Sequence, residues 1–557
     1  MDTTEQPRLT QPRLRARPTS PWSEITAYVP TFAQSVRPTA AILTFVAVLA
    51  FVARSQHPVH LAAAGPLENF LADTVPVSAA LVATLALYRP WRSLLLVLAL
   101  TPFWNAGYIS WQVGAVQVIL QTVFVLALAV GAATNRPRRS GSAARTADRS
   151  VAGRIEGLSA FRLAMVAVAG VVGIAVISTM ASGNVTLSAT VLLHGILEPI
   201  ALAAILVFLR PSRRDLVTLG IVLGVSVALG TVLNIVAALP TMTSLAAIQA
   251  HRLQFAHASF FNVGLFAAVI AITVPLVVAA LAVRRSLDLP RWTARLMIAT
   301  LALGLTGLFF SLSKSAWIAT GGGTIMLMLF IMHSWRRRLA LVVASVAVST
   351  LFIPWPALVL QVSPELDSGY RSVMVALVGE SRFDSWNPGT IAGRGSLTER
   401  FYAADAAVQM ALANPVLGVG LDQFGINYAS PTYRLPQAQD YVDHAHSFFP
   451  EIGAELGLPA AVLVFVIYVA ALWAMWRVYR GARDRLTRIL AAGFFASMVS
   501  WLVVATAFGC DIYRPNRDLS SDVVVAAIVL GAAIALARTV HAEHSERLSP
   551  RVPGAPS

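Results

Sequence analysis

Residues 258–283 read Ala-Ser-Phe-Phe-Asn-Val-Gly-Leu-Phe-Ala-Ala-Val-Ile-Ala-Ile-Thr-Val-Pro-Leu-Val-Val-Ala-Ala-Leu-Ala-Val and stop at Arg284-Arg285. No side chain in that run is charged, and at about 1.5 Å per residue its helix spans the roughly 30 Å hydrocarbon core of a bilayer. The two arginines anchor its end on the face that retains basic residues. Similar runs recur at about 38–54, 75–89, 93–107, 113–134, 160–182, 186–209, 215–239, 296–312, 316–334, 339–361, 450–475, 489–509 and 521–540. The expected fold class is all-α: a polytopic integral membrane helical bundle of about 12–14 transmembrane helices. Composition agrees, because 57% hydrophobic and 12% charged residues with a mean hydropathy of +0.69 exclude an ordinary water-soluble globular chain. Cys510 is the single cysteine, which excludes an intramolecular disulfide framework and a Cys-based zinc cluster.

The net charge of +15 comes almost wholly from arginine. In a soluble chain it would suggest nucleic acid; here the arginines fall in short clusters between apolar runs, so no nucleic acid partner is expected. Arg89 and Arg92, the basic loop near 135–158, Arg210 to Arg214, Arg284 to Arg295, Arg336 to Arg338, and Arg477 to Arg488 occupy every second loop. By the positive-inside rule both termini are then cytoplasmic: a disordered N-terminal tail at 1–37, helices over 38–361 and 450–540, and a tail at 541–557. The chain is expected in the cell's inner (cytoplasmic) membrane, in contact with membrane lipids.

The segment 362–449 is the one long hydrophilic stretch between spans and carries more acids than bases, so it is read as a large extracytoplasmic loop. Within it, Phe401, Ala404, Val408 and Leu412 recur at helical spacing, which predicts a short amphipathic helix from Thr398 to Leu412 on the outer membrane surface. The loop ends in Asp443-His444-Ala445-His446-Ser447-Phe448, followed by Glu451 and Glu455 where the chain re-enters the bilayer. Ionisable groups at that depth are costly unless they face a cavity or one another. Histidine there can act as a general base near neutral pH. Solvated interfacial histidines are the alternative, and two His one residue apart need further ligands to hold a metal.

Basic residues that break the depletion on the translocated side form a second group: Arg252, Lys314, Arg371, Arg382, Arg394, Arg400 and Arg434. Lys314 is the only lysine in the sequence. Cations at that boundary suit an anionic headgroup, and guanidinium forks bind phosphate oxygens in pairs. A diphosphate-bearing lipid is the expected ligand class, although some of these residues will pair with the loop's carboxylates. His194 and Glu198, one helical turn apart, are read as a buried hydrogen-bonded pair in preference to a proton relay. Gly321-Gly322-Gly323 is expected to permit close helix contact.

Four ordered pieces resemble the O-antigen ligase and polymerase superfamily. They are Arg252-Leu253 with Phe260-Phe261-Asn262; Leu312-Ser313-Lys314-Ser315-Ala316-Trp317; Gly393-Arg394 followed by Asn414-Pro415-Val416-Leu417-Gly418-Val419-Gly420; and His444-Ala445-His446-Ser447-Phe448 with Glu455-Leu456-Gly457-Leu458. Lysine stands where the family has arginine in the second piece, and Ser447 where it usually has asparagine. The resemblance implies a GT-C-like helical scaffold with short helices in the large loop. It also implies a metal-independent, inverting transfer of a glycan from a polyprenyl diphosphate donor to a glycan, lipid or other hydroxyl acceptor, without a cofactor, in cell-envelope polysaccharide assembly. On that basis His446 is the expected general base, with His444, Asp443 or Glu451 orienting it or the acceptor. Arg252, Arg394 and Lys314 are expected at the diphosphate. A repeat-unit polymerase on the same carrier and a polytopic transporter or flippase are the rival readings.

Overall fold

A computed structural model describes residues 77–104, 110–134, 154–238, 263–352, 391–434, 442–507 and 521–548, apart from positions 79, 114, 115, 312 and 333. The expected tail at 1–37, the first span at 38–54 and most of the basic loop lie outside the described residues.

Residues 80–88 are helical and turn at Arg89 into α1 (Pro90–Trp104). The hydroxyl of Ser93 ties that corner by donating to the Val82 carbonyl at 2.8 Å. The strands β1 (Ser110–Val113) and β2 (Val116–Ile119) pair antiparallel and lead into α2 (Leu120–Thr134). The expected span at 113–134 therefore begins as a strand; α2 alone, at about 1.5 Å per residue, falls short of the bilayer core. Next come α3 (Arg154–Ala181), α4 (Val185–Val191), a π turn (Leu192–Leu197), α5 (Glu198–Leu209), α6 (Arg213–Ala238), α7 (Val263–Val283), α8 (Arg291–Ser311), α9 (Lys314–Ile331) and α10 (Trp335–Phe352). The second half holds α11 (Ile391–Ala413), α12 (Phe424–Tyr428), α13 (Phe448–Leu456), α14 (Leu458–Gly481), α15 (Arg485–Ala507) and α16 (Ser521–Leu548).

Among the described residues, eight helical segments are long and apolar enough to cross a membrane, from Arg162–Ala181 to Val523–Glu543, with Gln121–Thr134 and Ser315–Ile331 as shorter apolar helices. The chain is thus an all-helical polytopic membrane protein with one small hairpin. The expected crossing at 450–475 is two helices, because the chain breaks at Gly457 between α13 and α14. The last helix runs on through His541 and Glu543 to Leu548, into the stretch expected as a tail; these residues tolerate a helix, and Pro550 follows.

The opening stretch supplies the centre. From Leu265 to Thr273 every side chain of α7 is at most 4% exposed, as a helix apolar all round requires. It packs against α6, α8, α9, α15 and α16. Hydroxyls bridge the helices: Ser497 donates to the Ile272 carbonyl and Ser500 to the Ala319 carbonyl. Of the three consecutive glycines only Gly323 serves close approach. A Cβ there would stand 1.9 Å from the Ser500 hydroxyl, whereas Gly321 and Gly322 face open space.

The His194–Glu198 pair forms as expected, with Nδ1 3.0 Å from Oε1, and gains the Thr122 hydroxyl, which donates to the same oxygen at 2.5 Å. The trio sits at the π turn, where the wider coil brings His194 and Glu198 over α2.

Candidate active site

The His-Ala-His segment is held by the short helix α13. Its two glutamates, four residues apart and therefore on one face, accept backbone amides from two different stretches of chain. Glu451 Oε2 takes the Ala445 N–H at 3.2 Å, between the two histidines. Glu455 Oε1 takes the Phe424 N–H at 3.1 Å, and its carboxylate is also hydrogen-bonded by the Asp422 N–H. Both glutamates are 3% exposed. At this depth an amide without an acceptor would cost about 1–3 kcal/mol, so each carboxylate is a peg for a loop.

Backbone pairing completes the junction. Val419 N–H donates to the Ala454 carbonyl at 2.7 Å, Gly420 N–H to the Glu455 carbonyl at 3.2 Å, and Leu458 N–H to the Pro415 carbonyl at 2.9 Å. The approach requires glycine on both sides. A Cβ on Gly418 (φ +68°) would lie 2.3 Å from the Glu455 carbonyl carbon, and one on Gly457 (φ +84°) 2.3 Å from the Val416 oxygen. From the other side, the α3–α4 turn clamps the same loop. Ser178 Oγ lies 3.1 Å from the Leu417 carbonyl and 3.0 Å from that of Glu455, and Ser188 Oγ donates to the Leu421 carbonyl at 2.6 Å.

Within this frame the titratable groups converge. Asp443 Oδ1 is 2.8 Å from His444 Nδ1, and the His444 and His446 rings meet edge to face with centroids 4.0 Å apart. His446 adopts φ +53° and Asp422 φ +58°. Left-handed backbone is uncommon for side chains of this size and recurs at functional sites. Ser447, where the family usually has asparagine, donates its hydroxyl to the Thr506 carbonyl of α15 at 2.9 Å. Phe448 then meets the Trp501 ring at 5.0 Å, and Trp501 stacks on Tyr468 at 4.9 Å, fixing α13 on α14 and α15.

Burial, reinforced by the neighbouring Asp443 carboxylate, pushes the Asp422 carboxyl up from 3.8 to about 7. Burial, with Glu451 and then Asp422 nearby, also drives Glu455 well above the usual carboxylate range, against the two amide hydrogen bonds that favour its charge. A raised carboxyl binds its proton more tightly in the folded protein. The stability it contributes is whole below 3.8 and is lost as pH rises through about 7. Asp422→Asn should therefore raise the melting temperature relative to wild type at pH 8 and leave it nearly level at pH 4. Thermal unfolding in detergent at the two pH values checks this.

Of the expected catalytic residues, His446, His444, Asp443 and Glu451 are brought together. Asp443 partners His444, and Glu451 holds the backbone between the two histidines. Arg252 lies outside the described residues; Lys314 opens α9 after Ser313, and Arg394 lies in α11, each with its side chain outside the described atoms. The Lys314 turn is fastened by the Trp317 indole N–H, which donates to the Leu308 carbonyl at 2.8 Å. The expected surface helix is longer than Thr398–Leu412, spanning Ile391–Ala413. Ala403, Ala407 and Met410 are buried on its α13 side, and Phe401 and Leu412, 67% and 61% exposed, lie on the outer face. Glu455 belonged to the expected polar cluster but was given no role, and Asp422, Ser178 and Ser188 were not among the expected site residues.

The described residues therefore form a polytopic helical membrane protein with a carboxylate-pegged histidine pair at one end of the bundle. Residues 299–465 match the family described as O-antigen ligase, which supports the resemblance to the O-antigen ligase and polymerase superfamily. The matched span contains the large loop, the glycine junction and both histidines; Arg252 and the α3–α4 clamp precede it. Comparison with curated proteins returned no match. The family supports a ligase-like membrane glycan function for a glycosyltransferase-like enzyme with a glycan or lipid-linked substrate.

The pegs make distinct predictions. Glu455→Gln retains an acceptor oxygen and should fold with a modest loss. Glu455→Ala strands the Asp422 and Phe424 amides and should cost about 2–5 kcal/mol. Comparing the two by thermal unfolding separates peg from charge.

Proposed function

We propose that the protein transfers a glycan from a polyprenyl diphosphate carrier to an acceptor hydroxyl on the outer face of the cytoplasmic membrane. The observation that carries this reading is the Asp443–His444–His446 array beside the Glu451 and Glu455 pegs. It lies just before α13, which leads into α14, whose far end holds Arg477 and Arg480. Arginine-rich helix ends mark the cytoplasmic side, so the opposite end faces outward.

In this mechanism His446 accepts the proton as the acceptor O–H bond breaks. The freed oxygen attacks the anomeric carbon from the side opposite the diphosphate. The bond from that carbon to the phosphate oxygen breaks, and its electron pair leaves with the diphosphate, so the configuration inverts. Asp443 accepts from His444 Nδ1, which fixes that ring's tautomer and the contact it offers His446. Arg252, Arg394 and Lys314 hold the diphosphate and stabilise the charge it gains; a good leaving group of this kind needs no metal.

The test is the full chain in lipid vesicles supplied with a lipid-diphosphate-linked glycan, with and without a second acceptor. Transfer that requires the second acceptor supports a ligase; lengthening of the carrier-linked glycan alone marks the polymerase; uptake of soluble solute without transfer overturns the enzyme reading. Arg252→Lys and Arg394→Lys should each lower kcat/KM by about tenfold or more, because a point charge cannot reproduce a paired fork. Unchanged kinetics in both removes the diphosphate assignment.

A further inference from the structure

Helix α11 is apolar on two opposite sides. At about 100° per residue, Ala403, Ala406, Ala407 and Met410 fall on one side, where they are buried in a single cluster with Ala445, Ala454, Phe424 and Tyr428. Phe401, Val408 and Leu412 fall within about 40° of one another on the other side, and all three are exposed. A helix of a water-soluble domain shows one apolar stripe, turned inward. The second stripe on α11 calls for a partner.

That stripe continues into surface that lipid covers. One turn beyond Leu412, Val416 is 67% exposed, and the neighbouring Pro415 carbonyl accepts the Leu458 N–H at 2.9 Å. Leu458 opens the exposed row of α14, in which Val462, Phe465, Val469 and Trp473 follow at helical spacing. Because α14 is long and apolar enough to cross the membrane, that row is its lipid face. Apolar surface therefore runs from the lipid face of a span, through Leu458 and Val416, to Leu412, Val408 and Phe401.

We propose that α11 is a strut docked on the bilayer: its outer stripe, with Val416, sinks into the lipid interface, and its inner stripe carries that footing to Ala445, the residue between the two histidines. The partner is a phospholipid surface, and the inference stands apart from the glycan-transfer reading. Exposed apolar side chains gathered into a patch mark an interaction surface. An interfacial helix buries such a face about 5–10 Å deep and keeps its polar flanks among the headgroups. Those flanks are present, with Asp405 and Gln409 to one side of the stripe and Arg400 to the other. Ala445 is held by the buried side of α11 and by Glu451, which takes its N–H at 3.2 Å. The depth at which α11 rests then sets the height of the His444–His446 pair over the lipid.

The test is a depth measurement by electron paramagnetic resonance on the full chain in vesicles of phosphatidylcholine and phosphatidylglycerol, with Cys510→Ser removing the single cysteine. A nitroxide is attached to Phe401→Cys, Val408→Cys or Leu412→Cys. Its relaxation by oxygen, which concentrates in hydrocarbon, is compared with its relaxation by a water-soluble nickel chelate. Phe465→Cys, on the lipid face of α14, and Arg483→Cys, exposed between α14 and α15, give the lipid and water references. The logarithm of the oxygen-to-nickel ratio should be positive at all three α11 positions and lie between the references, as immersion by about 5–10 Å requires. Adding Phe401→Asp and Leu412→Asp together should shift the Val408 label toward the water reference. Ratios at the water reference overturn the proposal. So does weak relaxation by both reagents, which would mean that this chain or a second copy covers the stripe, and so does a Val408 label that the double substitution leaves unmoved. No substrate enters the measurement, so its failure and a failure of glycan transfer are read separately.

Discussion

His446→Ala is expected to lower glycan transfer by about 10²–10⁴-fold, the range over which a positioned general base contributes, while the protein still inserts and accumulates. The side chain contributes little to packing that alanine would forfeit: it is half-buried, and the neighbouring Ala445 and Ser447 hold the segment through Glu451 and Thr506. Its φ of +53° burdens any residue that carries a Cβ, so the substitution leaves that cost in place. Transfer from a purified lipid-linked donor, normalised to folded protein by size-exclusion profile, gives the measurement. Near-normal transfer would refute the role. His444→Ala provides the contrast: it removes the ring that Asp443 orients and should lower kcat while leaving the pH profile of the remaining base in place.

Gly418→Ala and Gly457→Ala are expected to remove the folded protein, not merely slow it. Left-handed backbone costs a non-glycine residue about 1–2 kcal/mol. The new methyl would also stand 2.3 Å from backbone atoms of the opposing segment in each case. Backbone cannot swing aside as a flexible side chain can, so the pairs Val419 to Ala454 and Leu458 to Pro415 must part. Together these exceed about 3 kcal/mol, a large share of a typical domain's stability. Both variants should show strongly reduced monodisperse yield in detergent. Gly321→Ala, whose Cβ would meet nothing within 4 Å, should express normally and serves as the control.

The sequence by itself determined that the chain is a helical membrane bundle, because the bilayer core admits only long uncharged stretches whose backbone groups are paired internally. It also placed His444, His446, Asp443 and Glu451 together, since they fall within nine residues of chain. Hydropathy registers composition and not dihedral angles, so the break at Gly457 inside an apolar run left no mark, and α13 read as part of one long span. Only the tertiary structure decided that Asp443 pairs with His444, that Glu455 pegs the Phe424 amide, and that Asp422, Ser178 and Ser188 belong to the site. The Glu455 carboxylate reaches the Phe424 amide across 31 residues, and Ser178 reaches the Leu417 carbonyl across 239. Such bonds join one side chain to one backbone atom, impose no period on either segment, and come into being only when the helices that carry them have packed.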